Sequence, residues 1–130
     1  MSVKLAFIGV GNMAKAILRG ILSSEESPVS QICLYDVLPE QYDGLIGPSV
    51  FSCNTLREAV EAADFVLLSV KPQNYDEVLS EISRIPRCAE KSYISIGAGI
   101  PVSRVSAMTG SDSVIRVLPN VPMLDRKSVV

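Results

Sequence analysis

The chain of 130 residues contains no histidine and no tryptophan. Without histidine it cannot form a Ser-His-Asp triad, a His-ligated metal site or a His general acid. Any chemistry must therefore rely on other side chains, on the backbone or on a bound cofactor. We predict no metal site, and no residue stands out as a catalytic acid or base.

Strong net charge and long hydrophobic runs are also missing. The 12 basic and 14 acidic residues give a net charge of −2, so no positive excess favours nucleic acid or an anionic membrane surface as a partner. The first apolar run stops at Gly9, too early for a signal peptide or a membrane span. Three cysteines without CxxC spacing indicate structural thiols in a reducing compartment. These features predict a cytoplasmic protein.

Short Val-, Ile- and Leu-rich runs alternate with segments of helical periodicity, as expected when helices cover a parallel sheet. A hydrophobic content of 48% suits one domain, residues 1–130. The sequence predicts a doubly wound, mostly parallel α/β sheet with helices on both faces. The predicted strands cover residues 3–8, 31–35, 50–53, 64–70, 93–96 and 113–118. The predicted helices cover residues 12–22, 55–63, 72–84 and 101–108.

The first predicted strand runs directly into Gly9-Val10-Gly11-Asn12-Met13-Ala14, a G-x-G-x-x-A sequence that opens a helix. In dinucleotide-binding folds the first glycine makes a tight turn and the second lets the backbone approach a pyrophosphate. The third small residue lets helix and strand pack closely. A methyltransferase loop usually has an acid where Phe7 stands, and no G-x-x-x-x-G-K-[ST] sequence for a nucleoside triphosphate is present. The motif therefore favours a dinucleotide over either alternative.

The second strand ends at Asp36, 27 positions after Gly9. An acid at this point can accept the hydroxyls of an adenosine ribose, whereas a 2′-phosphate needs a nearby Arg or Lys. Residues 37–43 contain neither. We therefore expect NAD(H) to be favoured, with NADP(H) as the alternative.

If the strand order is 3-2-1-4-5-6, the fourth strand lies beside the first, and several turns share the carboxyl edge with the glycine-rich loop. These turns are Val-Lys-Pro at 70–72, Ser-Ile-Gly-Ala-Gly-Ile at 95–100 and Arg-Val-Leu-Pro-Asn-Val-Pro at 116–122.

Together with Phe-Ile-Gly-Val-Gly-Asn-Met-Ala-Lys-Ala-Ile at 7–17, these ordered motifs resemble pyrroline-5-carboxylate reductases over essentially the whole chain. The resemblance implies hydride transfer from a nicotinamide to 1-pyrroline-5-carboxylate, giving proline. It implies a cofactor site built from Gly9, Gly11, Asn12, Met13, Asn54, Val70, Lys71, Pro72 and Ala98, beside Asp36, and a substrate contact at Asn120.

The chain departs from the family pattern at Leu118 and Val121, where the family usually has Met and Thr, and in two further respects. The family often prefers NADPH and has no acid where Asp36 stands. It also continues into a helical domain that forms the dimer and supplies most substrate contacts, which this chain does not contain, so we expect the isolated chain to bind cofactor without turnover or oligomerisation. The alternatives are a non-catalytic dinucleotide-binding module and a reductase of another imine or small carbonyl compound.

Overall fold

The computed structural model describes residues 3–24, 26–96 and 100–117. Its centre is a six-stranded sheet in the order β3-β2-β1-β4-β5-β6. Every pairing between neighbouring strands is parallel. The predicted fold class and strand order are thus confirmed. The strands are β1 Val3–Ile8, β2 Val29–Tyr35, β3 Val50–Ser52, β4 Phe65–Leu68, β5 Ser92–Ser95 and β6 Val114–Arg116.

In the described part of the chain, four α-helices connect strands, and local sequence signals mark several of their ends. Thr55 accepts a hydrogen bond from the Glu58 N–H and caps the second helix. The fourth ends at Gly110, whose φ of 80° lies in the left-handed region that glycine adopts at little cost. The helices are α1 Asn12–Ser23, α2 Leu56–Ala62, α3 Tyr75–Ser83 and α4 Val102–Thr109.

Alternating side chains of the strands form two apolar layers. On one face, Ala6 and Ile8 of β1 and Val66 of β4 pack with residues of α2, α3 and α4. On the other, Leu5 and Phe7 pack with residues of α1. Helices therefore cover both faces, as predicted, and burial on both sides explains why the strands read as continuous apolar runs.

Several predicted boundaries differ from the structure. The strand expected at 64–70 is only Phe65–Leu68, because β1 pairs with just these four residues. The helix expected at 72–84 begins as a 3₁₀ turn, Pro72–Asn74, before α3. A further 3₁₀ turn, Pro39–Tyr42, follows β2 and was not predicted.

The inward stripe of α1 also differs in detail from its sequence pattern. Met13, Ile17 and Ile21 recur at helical spacing but are only partly buried, whereas Ala14 and Leu18 are almost fully buried. The small Ala14 side chain, 1% exposed, packs in the apolar layer that contains Leu5 and Phe7. Among the described residues, no helix has both the length and the apolarity needed to cross a membrane.

Candidate nucleotide-binding site

The carboxyl ends of β1, β2 and β4 meet at one edge of the sheet, around a cleft of about 450 Å³. In parallel α/β sheets, this edge at the change of strand order is where ligands bind. The cleft is lined by Ile8, Gly9, Val10, Gly11, Tyr35, Asp36, Val37, Leu38, Gln41, Leu56, Ser69, Val70, Lys71, Asn74, Glu77, Val78 and Glu81.

Gly9 makes the tight turn after β1 and allows a close approach to β4. Its φ is +97°, and a Cβ added there would lie 2.9 Å from both the carbonyl carbon and oxygen of Ser69. The Ser69 hydroxyl donates to the Gly9 carbonyl at 2.5 Å, and the Gly9 N–H donates to the Tyr35 carbonyl at 2.8 Å. Glycine is therefore required at position 9, because any side chain would collide with the backbone of Ser69.

Gly11 differs because nothing lies within 4 Å of the position of an added Cβ. It is the N-cap of α1, which has no side-chain cap and no acid in its first turn. The first N–H groups of a helix lack intrahelical partners, and the helix dipole favours an anion there. The turn thus presents backbone N–H groups beside open space, which suits a phosphate group.

Asp36 joins the glycine-rich turn to the segment that follows β2. Its Oδ2 accepts the Val10 N–H at 2.7 Å, and its Oδ1 accepts the Leu38 N–H at 2.9 Å. The Tyr42 hydroxyl lies 2.6 Å from the Asp36 backbone nitrogen, whose N–H it accepts. These two hydrogen bonds fix the orientation of the carboxylate. An ionised carboxylate has about four acceptor sites, so it can still accept hydrogen bonds from ribose hydroxyls.

The helix α3 forms the opposite wall and makes that part of the cleft negative. Glu77 and Glu81 line it together with the half-buried Val78. Burial raises the pKa of Tyr35, and the charges of Glu81 and Asp36 raise it further. The phenol thus remains neutral beside these carboxylates.

After β4, Val70 and Lys71 both line the cleft. The buried Tyr75 hydroxyl supports this region by donating to the Leu68 carbonyl at 2.9 Å, and it lies 3.0 Å from the Ser95 hydroxyl. The contact ties the start of α3 to the ends of β4 and β5. Lys71 itself is exposed and brings a positive charge to the cleft.

The structure brings five of the predicted site residues to the cleft wall: Gly9, Gly11, Asp36, Val70 and Lys71. The other described ones, Asn12, Met13, Asn54 and Pro72, are not part of that wall. The Asn54 N–H donates to Glu58 Oε1 at 2.9 Å, completing the cap of α2. Ala98 and Asn120 lie outside the described residues.

The lining residues that were not predicted from the sequence include Gln41, Leu56, Ser69, Glu77, Val78 and Glu81. Leu56 and Val78 carry the ordinary apolar signal of amphipathic helices, which does not distinguish a core position from a cleft wall. Within the described ranges, no group of three or more His, Cys, Asp or Glu residues could hold a metal ion. The thiols of Cys33, Cys53 and Cys88 are free, and only Cys53 is not fully buried.

Comparison with known proteins supports the predicted resemblance. Pyrroline-5-carboxylate reductase of Haemophilus influenzae is 40% identical over 122 residues, which are 92% of this chain and 44% of that protein. A solved pyrroline-5-carboxylate reductase from Coxiella burnetii has a TM-score of 0.82 at 26% identity, covering 94% of this chain and 46% of the other. That of Plasmodium falciparum, solved with NADP bound, has a TM-score of 0.72 at 26% identity, covering 95% and 44%.

The chain therefore spans less than half the length of the relatives it matches. A family described as NADP oxidoreductase, coenzyme F420-dependent, matches residues 4–99, which include the glycine-rich turn, Asp36 and Lys71. The matched region contains β1 except Val3, the strands β2 to β5 and all of the cleft described above. The chain belongs to this NADP oxidoreductase family.

Proposed function

We propose that residues 1–130 are the NAD(P)H-binding domain of a pyrroline-5-carboxylate reductase. The observation that carries the proposal is 40% identity to such a reductase over 92% of the chain. It is supported by the cleft, in which an uncapped helix N-terminus faces open space at Gly11. The reaction is reduction of the C=N bond of 1-pyrroline-5-carboxylate to give L-proline.

The residues of the cleft fit a nicotinamide dinucleotide. The N–H groups at the start of α1 would hold the pyrophosphate, and Asp36 would accept ribose hydroxyls. Val70 and Lys71, with Pro72 and Ala98, would contact the nicotinamide half, and Asn12, Met13 and Asn54 complete the proposed set. When bound, the reduced nicotinamide supplies a hydride to the imine carbon. One relative is known with NADP bound.

The protein's contribution to the reaction is positioning. A protonated cyclic imine is already electrophilic, so the absence of histidine from the chain removes nothing that this reduction requires. Holding two reactants in the right geometry can lower a barrier by roughly 7 to 11 kcal/mol. We propose that the cleft orients the cofactor for this purpose and that Asn120 contacts the substrate.

For the cofactor itself we propose a preference for NADH over NADPH. Asp36, Glu77 and Glu81 all line the cleft, and a 2′-phosphate would approach their negative charges. Titrating both cofactors by calorimetry at the same ionic strength should give the lower Kd for NADH. Tighter binding of NADPH would contradict the preference, and no binding of either would contradict the proposed function.

Turnover by the 130-residue polypeptide alone is expected to be absent, and we propose that it does not oligomerise. It spans 44% of the Haemophilus influenzae reductase, and the described lining of the cleft includes no wall from a further domain. Without that wall, nothing holds the imine close to the nicotinamide or excludes water. NADH oxidation should be measured with the cyclic imine, using the complete Haemophilus influenzae enzyme as a positive control. Multiple turnovers by the polypeptide would show that the substrate site lies within it.

A further inference from the structure

The segment after β2 has no basic residue of its own, but it receives one from α1. The Lys15 Nζ donates to Gln41 Oε1 at 2.8 Å, across 26 positions of sequence. Gln41 lies in the 3₁₀ turn Pro39–Tyr42 and lines the cleft together with Asp36. Lys15 is not itself part of the cleft wall, but its ammonium is bonded to a wall residue of the same segment that carries Asp36.

This ammonium is held in place. Lys15 and Gln41 are both half-buried, and the Lys15 N–H donates to the Gly11 carbonyl at 2.9 Å in the first turn of α1. The contact with Gln41 uses one of three N–H donors of the ammonium, so the others can bind phosphate oxygens. Asp36 cannot turn away from this region without breaking its bonds to Val10 and Leu38.

At the 2′ position of the adenosine ribose, Asp36 and Lys15 would act in opposite directions. Asp36 accepts a ribose hydroxyl and repels a 2′-phosphate, whereas an ammonium attracts the phosphate and gains little from the hydroxyl. We propose that Lys15, positioned by Gln41, is the residue that binds the 2′-phosphate when the chain takes NADPH. The inference rests on the proposed function and adds a specificity-determining residue outside the segment after β2.

The test uses only the adenosine half of the cofactor, 5′-ADP and 2′,5′-ADP, with binding measured by calorimetry. Lys15→Met keeps an aliphatic side chain of similar length. It should raise the Kd of 2′,5′-ADP by about tenfold, because one charge-assisted contact is lost. The Kd of 5′-ADP should change by less than about twofold. Arg19→Met is the matched control, since Arg19 is an exposed cation one turn further along α1. The Arg19→Met variant should leave the Kd of both ligands unchanged.

A second variant tests the opposition between the two charges. Asp36→Asn should strengthen 2′,5′-ADP binding, and adding Lys15→Met should remove that gain. Lys15→Gln replaces Lys15→Met if the latter does not fold, as judged by its thermal melting curve. Equal weakening of both ligands by Lys15→Met, or no effect on either, would overturn the assignment of Lys15 and leave the proposed function intact. If the unmodified chain bound neither ligand nor NADH, the proposed function would fail as well.

Discussion

The two glycines of the turn after β1 have different physical roles. A Cβ at Gly9 would meet the Ser69 backbone at 2.9 Å, and the residue has a φ of +97°. A side chain there would strain the backbone and push β1 and β4 apart. A Cβ at Gly11 would meet no protein atom within 4 Å. Gly9 is therefore needed for folding, whereas Gly11 leaves room for a ligand.

Gly11→Val is expected to weaken NADH binding on the order of tenfold or more, about 1.4 kcal/mol, because its side chain occupies the space proposed for the pyrophosphate. The domain should still fold. Gly20→Val is the matched control, since Gly20 lies in the same helix and also has nothing within 4 Å of an added Cβ. Calorimetry on both variants checks this. Unchanged affinity in folded Gly11→Val would place the pyrophosphate elsewhere.

At the scale of elements, the cleft depends on contacts between strands and helices far apart in sequence. Tyr75, at the start of α3, is 1% exposed, and its hydroxyl reaches the end of β4 at the Leu68 carbonyl. It also pairs with the buried Ser95 at the end of β5. These contacts position α3, which carries Glu77, Val78 and Glu81 into the cleft.

Tyr75→Phe should lower the free energy of unfolding by about 1–2 kcal/mol, because the buried Ser95 hydroxyl loses a partner. The Leu68 carbonyl is less affected, since it also accepts the Ile96 N–H at 3.1 Å. Urea denaturation measures the change. In a double-mutant cycle with Ser95→Ala, the two losses should not add, because both remove one shared hydrogen bond. Additive losses would mean that the two hydroxyls act independently.

At the scale of the whole molecule, burial controls the response to alkaline pH. Burial, followed by the neighbouring Cys33, raises the pKa of Cys53 to about 12. Burial also raises the pKa of Tyr93, whose hydroxyl donates to the Cys88 carbonyl at 2.7 Å. The pKa of Tyr42 is raised as well, chiefly by burial. With no histidine in the chain, no imidazole titrates between pH 5 and 8.

The stability of the fold should therefore decline as the pH rises above about 9. Each of these groups has a folded pKa above its ordinary value of 9.0 or 10.0, so the unfolded chain loses its protons first. The resulting stabilisation is complete below the unfolded pKa and is lost as the pH rises towards the folded one. Urea midpoints between pH 7 and 11 measure this, and Tyr93→Phe should make the decline less steep. A constant midpoint across that range would contradict the expectation.

The fold class and the glycine-rich turn could be predicted because their signals are local, whereas the strand order was assumed from the usual order of this fold. Short apolar runs that alternate with helical segments indicate strands buried on both faces of a sheet. The spacing of Gly9 and Gly11 indicates a tight turn that opens a helix. The ends of the strands were predicted less accurately. The strand β4 ends where its pairing with β1 ends, and the sequence of one strand does not specify how long its partner is. Of the residues predicted for the site, Gly9 and Gly11 lie in the cleft wall, whereas Asn12, Met13, Asn54 and Pro72 do not.

The sequence by itself thus determined the fold class, the placement of the glycine-rich turn at the carboxyl edge and an acid after β2. Tertiary structure alone decided how these parts meet. The Asp36 carboxylate accepts the Val10 N–H across 26 positions, Ser69 donates to Gly9 across 60, and Lys15 reaches Gln41 across 26. Such contacts depend on the packing of whole elements, which the periodicity of any one segment does not encode. The charges around the proposed ribose site are therefore visible only in the folded chain.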